Sequence, residues 1–180
     1  MSHIRIHSSS KQIMKTIYSD DTLNVIETQS IFLAGPTPRN SDVPSWRPEA
    51  IVILRNIGFS GTVFVPEHKD WEALKHYEDQ VEWEYEALTR VSVIAFWIPR
   101  EIARMPAFTT NVEFGYWMAK IDHSLSSHRH IAYGRPDGAP KTRYLDWLYT
   151  KETGKSPCVT LRNTSEQFVA PDNDRAIMDC

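Results

Sequence analysis

Cysteine is nearly absent from this chain of 180 residues: only Cys158 and Cys180 are present, both near the C-terminus. Two distant thiols make neither a disulfide framework nor a metal cluster, and free thiols fit a reducing compartment. Long apolar runs are missing too. No stretch approaches the roughly 18 residues a membrane span needs. The start, Met1-Ser2-His3-Ile4-Arg5, has no signal-peptide core. A soluble, cytoplasmic protein without a membrane partner is the expectation. Charge of one sign is also scarce. The formal net charge is -3, so no basic field favours polyanion backbones, and no nucleic-acid partner is expected. The seven His show no ligand spacing, with His128 and His130 merely flanking Arg129. No metal and no cofactor are expected. Glycine-rich phosphate loops are missing as well. Gly35-Pro36 belongs to neither G-x-x-x-x-G-K nor G-x-G-x-x-G.

What is present is a globular pattern. The apolar fraction of 41% and six Trp suffice for one sizeable core. Ile31-Phe32-Leu33-Ala34, Thr62-Val63-Phe64-Val65, Val91 to Ile98 and His130-Ile131-Ala132-Tyr133 read as short buried strands. Between them lie helical stretches. Ser45 can cap the first, with Pro48 in its first turn and Gly58 past its end. A charged helix spans about Tyr77 to Arg90, another carries Glu113, and residues 141 to 151 form a further one. Strands alternating with helices imply βαβ units, hence an α/β domain with a parallel sheet and helices on both faces. Residues 1–29 form an N-terminal extension, with β-like pieces at Lys15 to Tyr18 and Leu23 to Ile26 that suit an added hairpin or arm. The α/β domain is placed at residues 30–153 and a C-terminal tail at 154–180, where Cys158 to Leu161 suits one more strand.

In an open parallel sheet, ligands bind at the carboxyl ends of the strands. The loops leaving those ends carry Gly35, Pro36, Arg39, Glu67, Arg100, Thr110, Asn111, Glu113, Arg135 and Asp137. The three arginines Arg39, Arg100 and Arg135 would suit a phosphate. Trp46 can stack a ring or sit in the core. Glu113 is the first candidate for chemistry, in what reads as the first turn of a helix. Partial positive charge there would keep a carboxylate ionised, as a nucleophile needs. Its bland alternative is a capping box with Thr110, three residues earlier. Gly115 leaves space for close approach beside it. The carboxylates of the preceding helix, Glu78, Asp79, Glu82, Glu84 and Glu86, read as a solvated face.

Three stretches together resemble the nucleoside 2-deoxyribosyltransferase family. Ile31-Phe32-Leu33-Ala34-Gly35-Pro36 is similar to its opening strand and nucleoside-binding turn. Val93-Ile94-Ala95-Phe96-Trp97-Ile98-Pro99 is similar to its central strand. Asn111-Val112-Glu113-Phe114-Gly115-Tyr116 resembles its Glu-x-Gly-Tyr helix start, whose glutamate is the nucleophile. The resemblance spans about residues 31 to 150. It implies a flavodoxin-like, Rossmann-like sheet and a homo-oligomer whose neighbours complete each other's sites. The substrate it implies is a small nucleoside or nucleotide, handled by double displacement. Glu113 would attack the anomeric carbon, Asn111 would position sugar hydroxyls, and Gly35-Pro36 would line the pocket floor. Two departures stand out. Family members open the central strand with an aspartate where this chain has Ser92, and place an acid ahead of the nucleophile where it has Ala107 to Thr109. These departures make hydrolysis of a nucleotide or dinucleotide the alternative to base exchange. A nucleotide-binding module without catalysis is the rival from a different class.

Overall fold

The strands that read as continuous apolar runs are buried on both faces. In the computed structural model, which describes residues 13–23, 29–38, 42–69, 77–121 and 130–169, β1 spans Lys15–Tyr18, β2 Ser30–Ala34, β3 Thr62–Val65, β4 Val93–Trp97 and β5 His130–Gly134. They form one five-stranded sheet in the order β1-β3-β2-β4-β5. All four pairings are parallel. Helices α1 (Arg47–Asn56), α2 (Tyr77–Arg90), α3 (Phe108–Met118), α4 (Arg143–Thr153) and α5 (Leu161–Val169) complete the described elements.

Alternation along the strands divides the core in two. Phe32, Phe64, Ile94 and Phe96 point to one face, where Leu88 of α2, Phe114 and Trp117 of α3 and Tyr149 of α4 cover them. Ile31, Leu33, Val63, Val65 and Ala95 point to the other, under Ala50 and Leu54 of α1 and Phe168 of α5. Helices therefore lie on both faces of an all-parallel sheet, and the domain is a flavodoxin-like α/β fold. From β2 the chain passes to β3 on one side and then crosses to β4 on the other. That reversal opens a crevice above the carboxyl ends of β2 and β4.

One local expectation is corrected, and another lies largely outside the described residues. Among the described residues Lys15–Tyr18 is an edge strand parallel to β3, and the chain turns away from it through the Asp21 carboxylate, which accepts from the Tyr18 amide at 3.0 Å. Of the Leu23 to Ile26 piece, residues 24 to 26 lie outside the described residues, while Leu23 packs against the core. Among the described residues of the C-terminal segment, Cys158 alone bridges to the sheet, at Gly134. Leu161, Thr164, Ser165 and Phe168 are buried at helical spacing, and so the chain forms α5 rather than a strand. Among the described residues no helix is long and apolar enough to cross a membrane.

Candidate active site

A cavity of about 570 Å³ occupies the crevice at the carboxyl ends of β2 and β4, a size suited to a small-molecule ligand. Its floor is buried: Phe32, Ala34, Arg47, Leu88 and Trp117 line it. Its rim is exposed: Tyr77, Val81, Tyr85, Phe108, Val112 and Tyr116 line it.

The turn leaving β2 is shaped by Gly35. Its φ is 148°, and a Cβ there would lie 2.2 Å from the Trp97 carbonyl oxygen of β4. Only glycine lets the two strand ends approach this closely. Arg47, the first residue of α1, is fully buried beneath the turn. Its Nε donates to the Leu33 carbonyl at 3.0 Å and its Nη2 to the Gly35 carbonyl at 2.7 Å. Its Nη1 donates to Thr37 Oγ1 at 3.1 Å and to Glu67 Oε1 at 2.6 Å. Ser45 donates to the same Glu67 oxygen at 2.7 Å and accepts from the Arg47 amide, one residue short of a helix cap. A buried guanidinium with this many partners is held rigidly, because each donor would otherwise be desolvated without compensation.

Two carboxylates join Arg47 at the cavity. Glu113 comes from α3 and Glu84 from α2. Burial pushes the Glu113 carboxyl up to about 7, the nearby Glu84 charge adds to the rise, and Arg47 opposes it. Glu84 is also raised by burial, against a hydrogen bond from Gln80 Nε2 at 2.8 Å and the Arg47 charge. The expectation that a helix N-terminus holds Glu113 ionised is therefore corrected. α3 starts at Phe108, so Glu113 is past the first turn, where the dipole has faded. The capping box fails for the same reason. Residue Ala107, with φ of 60°, stands at the N-cap, and Thr110 sits inside the helix, buried against the cavity.

Of the residues singled out from sequence, the fold gathers Gly35, Pro36, Thr110 and Glu113 around the cavity. Glu67 reaches it through Arg47. Trp46 is buried as a prop: its Nε1 donates to the Pro36 carbonyl at 3.2 Å and its ring lies under Gly35. Four other residues are engaged elsewhere. Arg100 Nη2 donates to Asn111 Oδ1, and its Nη1 donates to the Lys141 carbonyl at 2.6 Å, tying the start of α3 to the loop before α4. Arg135 forms an ion pair with Asp146 of α4 at 3.0 Å, and Asp137 accepts from the Gly138 amide at 3.0 Å. None of these four lines the cavity, and neither does Gly115, around which a Cβ would meet nothing within 4 Å. Arg39 lies outside the described residues. No group of three or more His, Cys, Asp or Glu residues able to hold a metal ion occurs among the described residues.

The departure at Ser92 loses its bearing on the site. Ser92 sits at the amino end of β4, where its hydroxyl donates to the Ser30 carbonyl at 2.8 Å and accepts from the Ser30 amide. The cavity is at the other edge of the sheet, roughly 15 Å away at strand rise. Glu84 is the residue that sequence reasoning misplaced on a solvated face. Its signal was its spacing: Glu84 lies three and four residues before the buried pair Ala87 and Leu88. A carboxylate on that apolar stripe points inward.

A parallel sheet with a ligand-sized cavity at its topological switch point, holding two desolvated carboxylates, defines a flavodoxin-like α/β protein built around a small-molecule site. Residues 28–128 match the family described as nucleoside 2-deoxyribosyltransferase like, and the chain belongs to that family. The match includes β2 through α3, hence both Glu84 and Glu113. Comparison with curated proteins found no match.

Proposed function

We propose that this protein cleaves or exchanges the N-glycosidic bond of a small nucleoside through a covalent glycosyl-Glu113 intermediate. The observation that carries the proposal is the Glu84–Glu113 pair, raised together in one cavity at the switch point. Both carboxyls are raised by burial, and the charge of Glu84 disfavours ionisation of Glu113. The reactive form has Glu113 ionised as the nucleophile and Glu84 protonated as the acid, although in the resting site Glu113 is itself held up to about 7.

A Glu113 oxygen attacks the anomeric carbon and the C–N bond breaks. Its electron pair goes to the base nitrogen, which takes the proton from Glu84. A second base nitrogen, or water, then attacks the same carbon from the opposite face and expels Glu113. Glu84 recovers a proton from the incoming group. Two inversions give net retention. Arg47 limits the excess negative charge and fixes the Gly35-Pro36 turn that forms the pocket floor.

An unphosphorylated substrate fits best. Arg47 is the cation that the described cavity lining contains, and its donors are already committed. Of the three arginines suited to phosphate, Arg100 and Arg135 are tied to Asn111 and Asp146, and Arg39 lies outside the described residues. The homo-oligomer is part of the proposal. Phe108 and Val112 line the cavity yet are 67% and 72% exposed, a rim that a second copy would cover.

The test is incubation with a deoxynucleoside and a different free base. A new nucleoside supports transfer. Free sugar without a new nucleoside supports hydrolysis. No base release from any of the common nucleosides removes the proposal and leaves a binding module.

A further inference from the structure

The Glu84 carboxyl is anchored from its own helix. Gln80, one turn earlier on α2, donates its Nε2 to Glu84 Oε1 at 2.8 Å, and both side chains line the cavity. Among the described residues no second hydrogen bond engages either side chain.

A carboxamide in this position can serve both forms of its neighbour. It offers N–H donors on one side and a carbonyl acceptor on the other, and its terminal torsion is broad and roughly two-fold. A Glu84 carboxylate only accepts, and the Nε2 contact satisfies it. A Glu84 carboxylic acid has an O–H to donate, which the Gln80 carbonyl accepts once the amide has turned by half a rotation. A group that gives up a proton and then recovers one passes through both forms. The charge-assisted contact to the carboxylate is the stronger of the two. Gln80 therefore opposes the upward push that burial exerts on Glu84. The other charges at the cavity are Arg47 of α1, which also favours the ionised form of Glu84, and Glu113 of α3. Glu67, after β3, is paired with Arg47. The phenols of Tyr77 and Tyr85 on α2 and Tyr116 on α3 line the same space.

Resting on the assignment of Glu84 as the acid, we propose that Gln80 is a positioning residue: its carboxamide holds the Glu84 carboxyl in the cavity and turns over as that carboxyl loses and regains its proton. Gln80 acts through Glu84 and needs no contact with the nucleoside.

The test is Gln80→Met, which keeps the length of the side chain and removes both hydrogen bonds. Methionine is as good a helix former, so the variant is expected to fold, and urea melts check it. The carbon-13 resonance of the Glu84 carboxyl, identified by its loss in Glu84→Gln, follows protonation with no substrate present. In Gln80→Met it is expected to titrate at higher pH than in wild type, because the donor to the ionised form is gone. Turnover of a deoxynucleoside should fall about 10- to 100-fold in kcat, the worth of one hydrogen bond to a charged group, with KM within about 2-fold of wild type. In the Glu84→Gln background the same substitution should cost less than about 2-fold, because the two residues act as one unit. An unchanged Glu84 titration overturns the inference. So does an unchanged kcat, or an equal loss of kcat in both backgrounds. If wild type turns over no nucleoside, the glycosidic assignment falls, and the titration by itself decides whether Gln80 governs Glu84.

Discussion

Glu113 of α3 and Glu84 of α2 share one cavity, and the charge of Glu84 adds to burial in raising Glu113 to about 7. Neither carboxylate has a cation to itself. Arg47 acts on both, while its own short ion pair is with Glu67. The arrangement sacrifices stability for a Glu113 carboxyl that titrates in the neutral range, a trade common at functional sites.

Glu113→Gln is expected to be more stable than wild type above neutrality. The folded protein holds the Glu113 proton up to about pH 7, while the unfolded chain releases it near its ordinary value of 4.5. Folded molecules therefore bind more protons between these values, and stability falls as pH rises through that window. The penalty persists above it. Glutamine removes it, for a gain of about 1–2 kcal/mol at pH 8 after allowing for partial exposure. The gain should vanish at pH 4. Urea melts at both values measure it. Equal stability at pH 8 would mean that Glu113 is ordinarily solvated.

Glu84→Gln removes the like charge and the proton source together. The acid limb of the rate profile should move below that of wild type, because one contribution to raising Glu113 is gone. Turnover of nucleosides should fall by about 10²–10⁴-fold, the usual worth of a general acid. An aryl deoxyriboside, whose leaving group needs no proton, should be much less affected. A comparable loss on both substrates would assign Glu84 to binding instead.

Glu67→Ala leaves the Arg47 guanidinium fully buried without its carboxylate. A loss of about 2–4 kcal/mol is expected, since an unpaired buried charge is the costly half of a broken ion pair. Chemical denaturation reads it. A loss under 1 kcal/mol would mean that the carbonyls of Leu33 and Gly35 hold Arg47 by themselves.

Gly35→Ala drives a methyl into the Trp97 carbonyl, 2.2 Å from the new Cβ. Overpacking and backbone strain together should cost about 2–4 kcal/mol. Ligand binding should weaken more than the same loss placed elsewhere, because the Gly35-Pro36 turn lines the cavity. Equal effects would detach the turn from the site.

The sheet was legible in the sequence because β2 through β5 are short apolar runs bounded by Gly, Pro or charged residues, and their alternation with helices admits only a parallel arrangement. β1 was harder. Lys15–Tyr18 is a half-exposed edge, and its partner is fixed by β3 rather than by its own pattern. α5 hid behind a run of polar residues whose buried members include Thr164 and Ser165. In the site, Glu113 and the Gly35-Pro36 turn were visible as chemistry at strand ends. Arg47 and Glu84 were not. Their roles depend on burial: the one local sign for Glu84 is its spacing from Ala87 and Leu88, and Arg47 at the start of α1 has none. Arg100, Asn111 and Arg135 failed in the opposite sense: they lie at the correct sheet edge, but neighbouring loops and α4 claim them first.

The nucleophile is tested most directly by mass spectrometry of wild-type protein quenched in acid during turnover of a deoxynucleoside. The expected result is a peptide containing Glu113 that carries one deoxyribosyl group, absent from Glu113→Gln, which also releases no base. Base release by Glu113→Gln at the wild-type rate, or a sugar adduct on a different residue, would contradict a glycosyl-Glu113 intermediate.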